Sequence, residues 1–146
     1  MVITRALFHE SENAKVREGD ILIASTGKIS LGKVDIVEFE DEAMAGGHVS
    51  IIRLDEKKYN KLFFIYFFRN ILGNFQIERD FTGATNQIEL YADQIEMFDV
   101  PDISPQKQES IVEKIKSELD KQKEIKREIE ENQGEISRII EEATKS

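Results

Sequence analysis

The apolar positions of this chain change period twice. Between Gly19 and Leu54 they fall in short runs separated by polar, glycine-containing segments. Gly19-Asp20 turns the chain into Ile21-Leu22-Ile23-Ala24, a continuous apolar run that reads as a buried strand. Val34 to Phe39 alternates apolar and acidic residues, as a half-buried strand does, and His48 to Leu54 reads as the next strand. The segments between them, Ser25 to Lys33 and Asp41 to Gly47, are polar loops. From Asp55 the spacing becomes helical. Asp55 is placed to cap a helix over about 56–72, and Gly73 to end it. Within that helix Leu62 to Phe68 is apolar around most of the circumference, which predicts burial. No basic residue interleaves these aromatics before Arg69, so they read as core and not as a base-stacking platform. Asn74 to Gln87 is expected as a helical turn and loop. Ile88 to Tyr91 and Met97 to Val100 are expected as short strands around a turn, Ala92 to Glu96. Met1 to Arg17 is too mixed to assign.

The second change comes at Ser104-Pro105, an N-cap followed by proline at the first helical position. From there to Thr144 only Gly134 interrupts a stretch rich in Glu, Lys, Gln and Ile, so propensity favours one helix throughout. Ile115, Gln122, Ile129, Ile136 and Ala143 recur every seven residues, flanked by Ile111, Ile125 and Ile139 on one side and Leu119 and Ile140 on the other. Seven is the coiled-coil period. Glu118, Gln122, Lys126, Asn132 and Gln133 interrupt the seam, and polar seam residues fix register and partner number at a cost in stability. The pattern predicts an α+β chain: a mainly β domain with a buried aromatic helix over 1–103, then a long coiled-coil helix over 104–146.

Composition narrows the function. The chain has 146 residues, 40% hydrophobic, which suits one domain with an appendage. With no cysteine and only His9 and His48, it offers no thiol nucleophile and little for a metal site; no metal or other cofactor is expected. No apolar run approaches the roughly 20 residues that span a bilayer, and the N-terminus lacks a signal-peptide pattern, so a soluble, cytoplasmic protein without membrane contact is expected. The net charge is −9, and neither part is basic: −6 over residues 1–100 and −3 over 101–146. DNA contact would therefore rest on local basic loops or on a basic partner.

Two catalytic patterns fall short. Gly27 to Val34 fits the phosphate-loop pattern GxxxxGK[ST] except at the last position, where Val34 lacks the hydroxyl that ligates Mg²⁺. It also leads into a predicted strand where phosphate binding needs a helix N-terminus. A nuclease-like carboxylate set could be drawn from Asp20 or Asp35 with Asp55-Glu56-Lys57, but Asp55 is already explained as a cap. No catalytic residue and no metal ligand is assigned. What remains is polar surface on two loops: Ser25, Thr26, Lys28, Ser30 and Lys33 on one, and Arg79, Thr82, Thr85, Asn86 and Gln87 on the other. Lysine and arginine suit phosphates and guanine edges, Asn and Gln suit adenine, and Ser or Thr suit either.

The order of motifs resembles the specificity subunits of type I restriction–modification systems. Four stretches carry the resemblance: Val16-Arg17-Glu18-Gly19-Asp20-Ile21-Leu22-Ile23 with Gly27 and Gly32; Val49 through Phe68; Gly83-Ala84-Thr85-Asn86-Gln87-Ile88 with Ile95; and Val100-Pro101-Asp102-Ile103 leading to Gln108-Glu109-Ser110-Ile111-Val112. The resemblance implies a non-catalytic subunit that reads half of a bipartite target in double-stranded DNA. Its implied partners are S-adenosylmethionine-dependent adenine methyltransferase subunits and a motor (restriction) subunit. The two loops become candidate DNA contacts. The helix becomes a spacer and docking surface, pairing antiparallel with a second copy in a homodimer. The chain holds one recognition domain and one helix where the family has two of each, and that domain starts late, which fits either a fragment or a short half-subunit. The alternative is a protein-only assembly module whose coil recruits a partner without touching DNA.

Overall fold

A computed structural model of the chain describes residues 3–5, 15–40, 43–84 and 87–145. It divides into two compact units, Met1–Glu109 and Ser110–Ser146. The first unit is α+β, as the apolar pattern predicts. Its strands and helices run β1 (Ile3–Arg5), β2 (Lys15–Val16), β3 (Ile21–Ala24), β4 (Val34–Ile36), β5 (Ala43–Met44) and β6 (Val49–Ile52), then α1 (Lys61–Phe68), α2 (Ile71–Asp80), β7 (Thr82–Ala84), β8 (Gln87–Glu89), α3 (Ala92–Glu96) and β9 (Asp99–Pro101). The 40-residue helix α4 (Pro105–Thr144) starts in this unit and constitutes the second.

The central antiparallel sheet has the order β4-β3-β6, with Ile21 opposite Ile36 on one side and Ile52 on the other. Strand β3 is its buried middle, where Ile21 and Ile23 have no exposed surface. Three further two-stranded pairs form: β1 with β9, β2 with β5, and β7 with β8. The aromatic run becomes core. Phe64 and Phe68 are fully buried, Phe68 lies 5.1 Å from the ring of Phe98, and Ile95 and Val100 are fully buried too.

The helical boundaries differ from those expected. Asp55 closes a turn instead of capping a helix: its carboxylate accepts from the Lys57 N–H, and its carbonyl accepts from Lys58 and Tyr59. The helix starts only at Lys61, because Asn60 is extended and its side chain accepts from the Phe63 N–H. A second extended residue, Asn70, separates α1 from α2, so Gly73 lies inside a helix and does not end one. A Cβ on Gly73 would sit 2.4 Å from the Phe68 Cα, so only glycine permits this approach of the two helices. Residues 92–96 are the helix α3 where a turn was expected, and 82–84 form a strand where a loop was expected, pairing antiparallel with 87–89.

Two buried glutamines pin the helices to their neighbours. Gln76 on α2 donates to the Asp99 carbonyl and accepts from the Asp99 N–H, which fixes α2 to β9. Gln108, with no exposed surface, accepts from the Asn60 N–H and donates to the carbonyls of Lys58 and Ile103. A buried amide satisfied three times over is costly to replace. That gives a physical reason for Gln108 in the fourth stretch that carries the family resemblance.

Candidate nucleic-acid interface

The loop after β3 is a compact knot of backbone hydrogen bonds. Gly27 and Gly32 both adopt positive φ, at 88° and 76°. The Gly27 carbonyl accepts from Ser30 and Leu31, and the Gly32 N–H returns to the Ala24 carbonyl. Ser30 is spent on this turn, its hydroxyl donating to the Thr26 carbonyl. Ser25 is buried, with its backbone tied to His48 and Leu90. Lys28 and Lys33 are exposed. The loop leads into strand β4, so it offers no helix N-terminus to a phosphate.

The second predicted loop is a ribbon joined to the first. In the β7–β8 pair, Thr82 lies opposite Glu89 and Ala84 opposite Gln87. Gly83, at φ 104°, allows the strands to close, since a Cβ there would lie 2.0 Å from the Gln87 carbonyl oxygen. On its other side β8 meets the first loop, with Thr26 opposite Glu89. The Gly27 N–H donates to Ile88 and the Leu90 N–H to Ser25, at 3.1 and 2.8 Å. Directly opposed residues share a face of a sheet. Thr82, Glu89 and Thr26 therefore form a row across β7, β8 and the first loop, with Ala84 and Gln87 beside it. His48 adds to this row, its Nδ1 lying 2.8 Å from the Thr26 hydroxyl. Thr26, His48, Gln87 and Glu89 line one shallow depression of about 490 Å³.

The structure thus brings Thr26, Thr82 and Gln87 onto one face and sets Lys28 and Lys33 on the adjoining loop. Arg79 goes elsewhere. It donates to both oxygens of Asp80, which pushes its pKa further up, and it lines an acidic depression with Asp80, Asp93 and Asp99. Thr85 and Asn86 lie outside the described residues. Glu89 and His48 belong to this face but were missed. The register between residues 26 and 89 joins segments far apart in sequence, and no local pattern announces it.

The carboxylates of the nuclease-like set are dispersed. Asp20 accepts from Arg53 through both oxygens at 2.8 Å and from the Arg17 N–H, and this pairing pushes the Arg53 pKa further up. Asp35 pairs with Arg69, and Glu56 with Lys61. Among the described residues no three metal-ligating side chains cluster.

Helix α4 carries the heptad stripe in the open. Ile125, Ile129, Ile136, Ile139 and Ile140 are each more than half exposed, Leu119 is 37% exposed, and Gln122 is exposed among them; Ile111 and Ile115 are partly exposed. Pairs such as Lys121–Glu118, Lys123–Asp120 and Arg127–Glu124 line the helix three residues apart, each adding a few tenths of a kcal/mol to helix stability. No helix among the described residues is long and apolar enough to cross a membrane.

The family model of the type I restriction modification DNA specificity domain matches residues 3–133, nearly the whole chain. The chain belongs to that family. No curated protein matches it. A type I specificity domain is a DNA-binding, recognition element of a restriction–modification system, and its partners are DNA and the other subunits of that system. That role accounts for the sequence pattern. A polar face lies on β8 and the adjoining first loop, and two exposed lysines lie on that loop.

Proposed function

We propose that this type I specificity domain reads half of a bipartite target in double-stranded DNA and docks the adenine methyltransferase subunits that modify it. The observation that supports this most directly is the joining of the two predicted loops into one exposed polar face, with Lys28 and Lys33 exposed on the first of those loops. In this reading the lysines contact phosphates and hold the domain in register, while Thr26, Thr82 and Gln87 meet base edges. Helix α4 pairs antiparallel with the α4 of a second copy through its isoleucine stripe and spaces two equivalent domains. Two-fold symmetry then requires a palindromic bipartite target. The motor subunit binds around the same assembly.

The test is co-expression of the chain with its adenine methyltransferase subunit, followed by mapping of methylated adenines on host DNA. A single palindromic bipartite motif is the expected result. The Lys28→Ala/Lys33→Ala double variant should bind every sequence more weakly and lower the salt slope of binding by about two. Unmodified DNA, with the two proteins soluble and associated, would overturn the half-site reading.

A further inference from the structure

Glu89 presents a problem to a surface that meets a polyanion. It is exposed, and no ion pair to it occurs among the described residues. Facing a phosphate it would lower affinity for every sequence. A carboxylate is favourable in a DNA groove only over a hydrogen-bond donor, and the exocyclic amines of cytosine and adenine are the donors of the major groove.

The fold sets Glu89 where such a contact can be made. It stands at the centre of the row, between Thr82 on β7 and Thr26 on the first loop. The bonds around the Thr26–Glu89 pair run between its neighbours, from Gly27 to Ile88 and from Leu90 to Ser25. This is the non-hydrogen-bonded type of pair, which brings the facing side chains closest. Gln87 projects from the same face two residues earlier. A strand rises about 3.4 Å per residue, so the two side chains are about 6.8 Å apart, two base-pair steps along a duplex strand. A two-stranded ribbon fits the major groove. The Tyr91 hydroxyl, two residues later, interacts with the Glu89 carboxylate, which pushes the Tyr91 pKa up.

We propose that Glu89 is a specificity-determining residue, reading the exocyclic amine of a cytosine or adenine two steps from the base read by Gln87. This rests on the assignment of the same face to DNA. An acidic reader selects by rejection. Opposite the carbonyl oxygens of thymine or guanine it places acceptor against acceptor, and against phosphate it places charge against charge.

The experiment is selection of bound duplexes from a random double-stranded DNA library by the full chain, by Glu89→Gln and by Glu89→Ala. The wild-type chain should enrich a motif with a fixed cytosine or adenine at one position. Glu89→Gln keeps the shape, but its amide can donate to thymine or guanine as well as accept. It should lose about tenfold preference at that position and leave the others unchanged. Because a negative charge is removed, it should also bind non-cognate DNA more tightly. Glu89→Ala should relax the same position. A wild-type motif that survives unaltered in both variants overturns the role of Glu89 while DNA reading stands. No motif from the wild-type chain overturns both.

Discussion

At the residue scale, the decisive feature is where each charge ends up. Twenty-nine acidic and 20 basic residues give many possible pairings, and the sequence alone does not rank them. The fold does. Asp20 is buried and takes the whole fork of Arg53, which also donates to the Lys15 carbonyl. Arg53→Ala should leave a buried carboxylate with only the Arg17 N–H, at a cost of about 2–4 kcal/mol in urea unfolding. Arg127 on α4 makes its pairs with Glu124 and Glu131 in open solvent, so Arg127→Ala should change stability by less than about 0.5 kcal/mol. Equal effects from the two would show that Asp20 finds other partners or water. The same reasoning separates the candidate DNA contacts. Arg79 is occupied by Asp80, whereas Lys28 and Lys33 are exposed on the knot of the first loop.

At the element scale, the apolar pattern located the middle strands and the buried aromatic run but misplaced the helix that carries it. Periodicity over 56–72 cannot show that Asn60 and Asn70 turn extended. Asn60 is held by the distant Gln108, 48 residues on in the chain, and by its own cap to Phe63. Gly73 was legible as special and misread as to why. A Gly73→Ala substitution should cost about 2–3 kcal/mol, because the added methyl meets backbone atoms of Phe67 and Phe68. Gly134, also helical, has nothing within 4 Å of the position a Cβ would take. Gly134→Ala should therefore stabilise the helix, by about 0.5–1 kcal/mol. Thermal unfolding of both variants followed by circular dichroism tests this, and a neutral Gly73→Ala would refute the close approach of α1 and α2.

At the scale of the whole molecule, the apolar stripe of α4 is an unmet demand. Five isoleucines of one helix are more than half exposed, and burying each against a partner would contribute roughly 1–2 kcal/mol. Under the proposed pairing, the wild-type chain should sediment as a dimer. Ile125→Asp/Ile139→Asp should sediment as a monomer whose first unit keeps its fold. A wild-type chain that is monomeric at about 100 μM would remove self-pairing. Salt separates the two interfaces: DNA binding through Lys28 and Lys33 should weaken steeply with ionic strength, while association through isoleucines should persist.

What the sequence determined by itself is what depends on local order. The helix α4 and its seven-residue stripe, the apolar run from Leu62 to Phe68 with Phe63, Phe64, Ile65 and Phe68 buried, and the strand β3 all follow from propensity and period, which neighbouring residues set. The order of motifs along the chain also carried the family resemblance, since that is a linear property. Only the tertiary structure decided which polar residues share a face. Thr26 and Glu89 become neighbours through hydrogen bonds between segments more than 60 residues apart, His48 joins them from a third segment, and Arg79 is drawn away by Asp80. The proposed DNA-reading surface is built from such long-range registers. Its members emerge only when the backbone bonds of the sheet are satisfied.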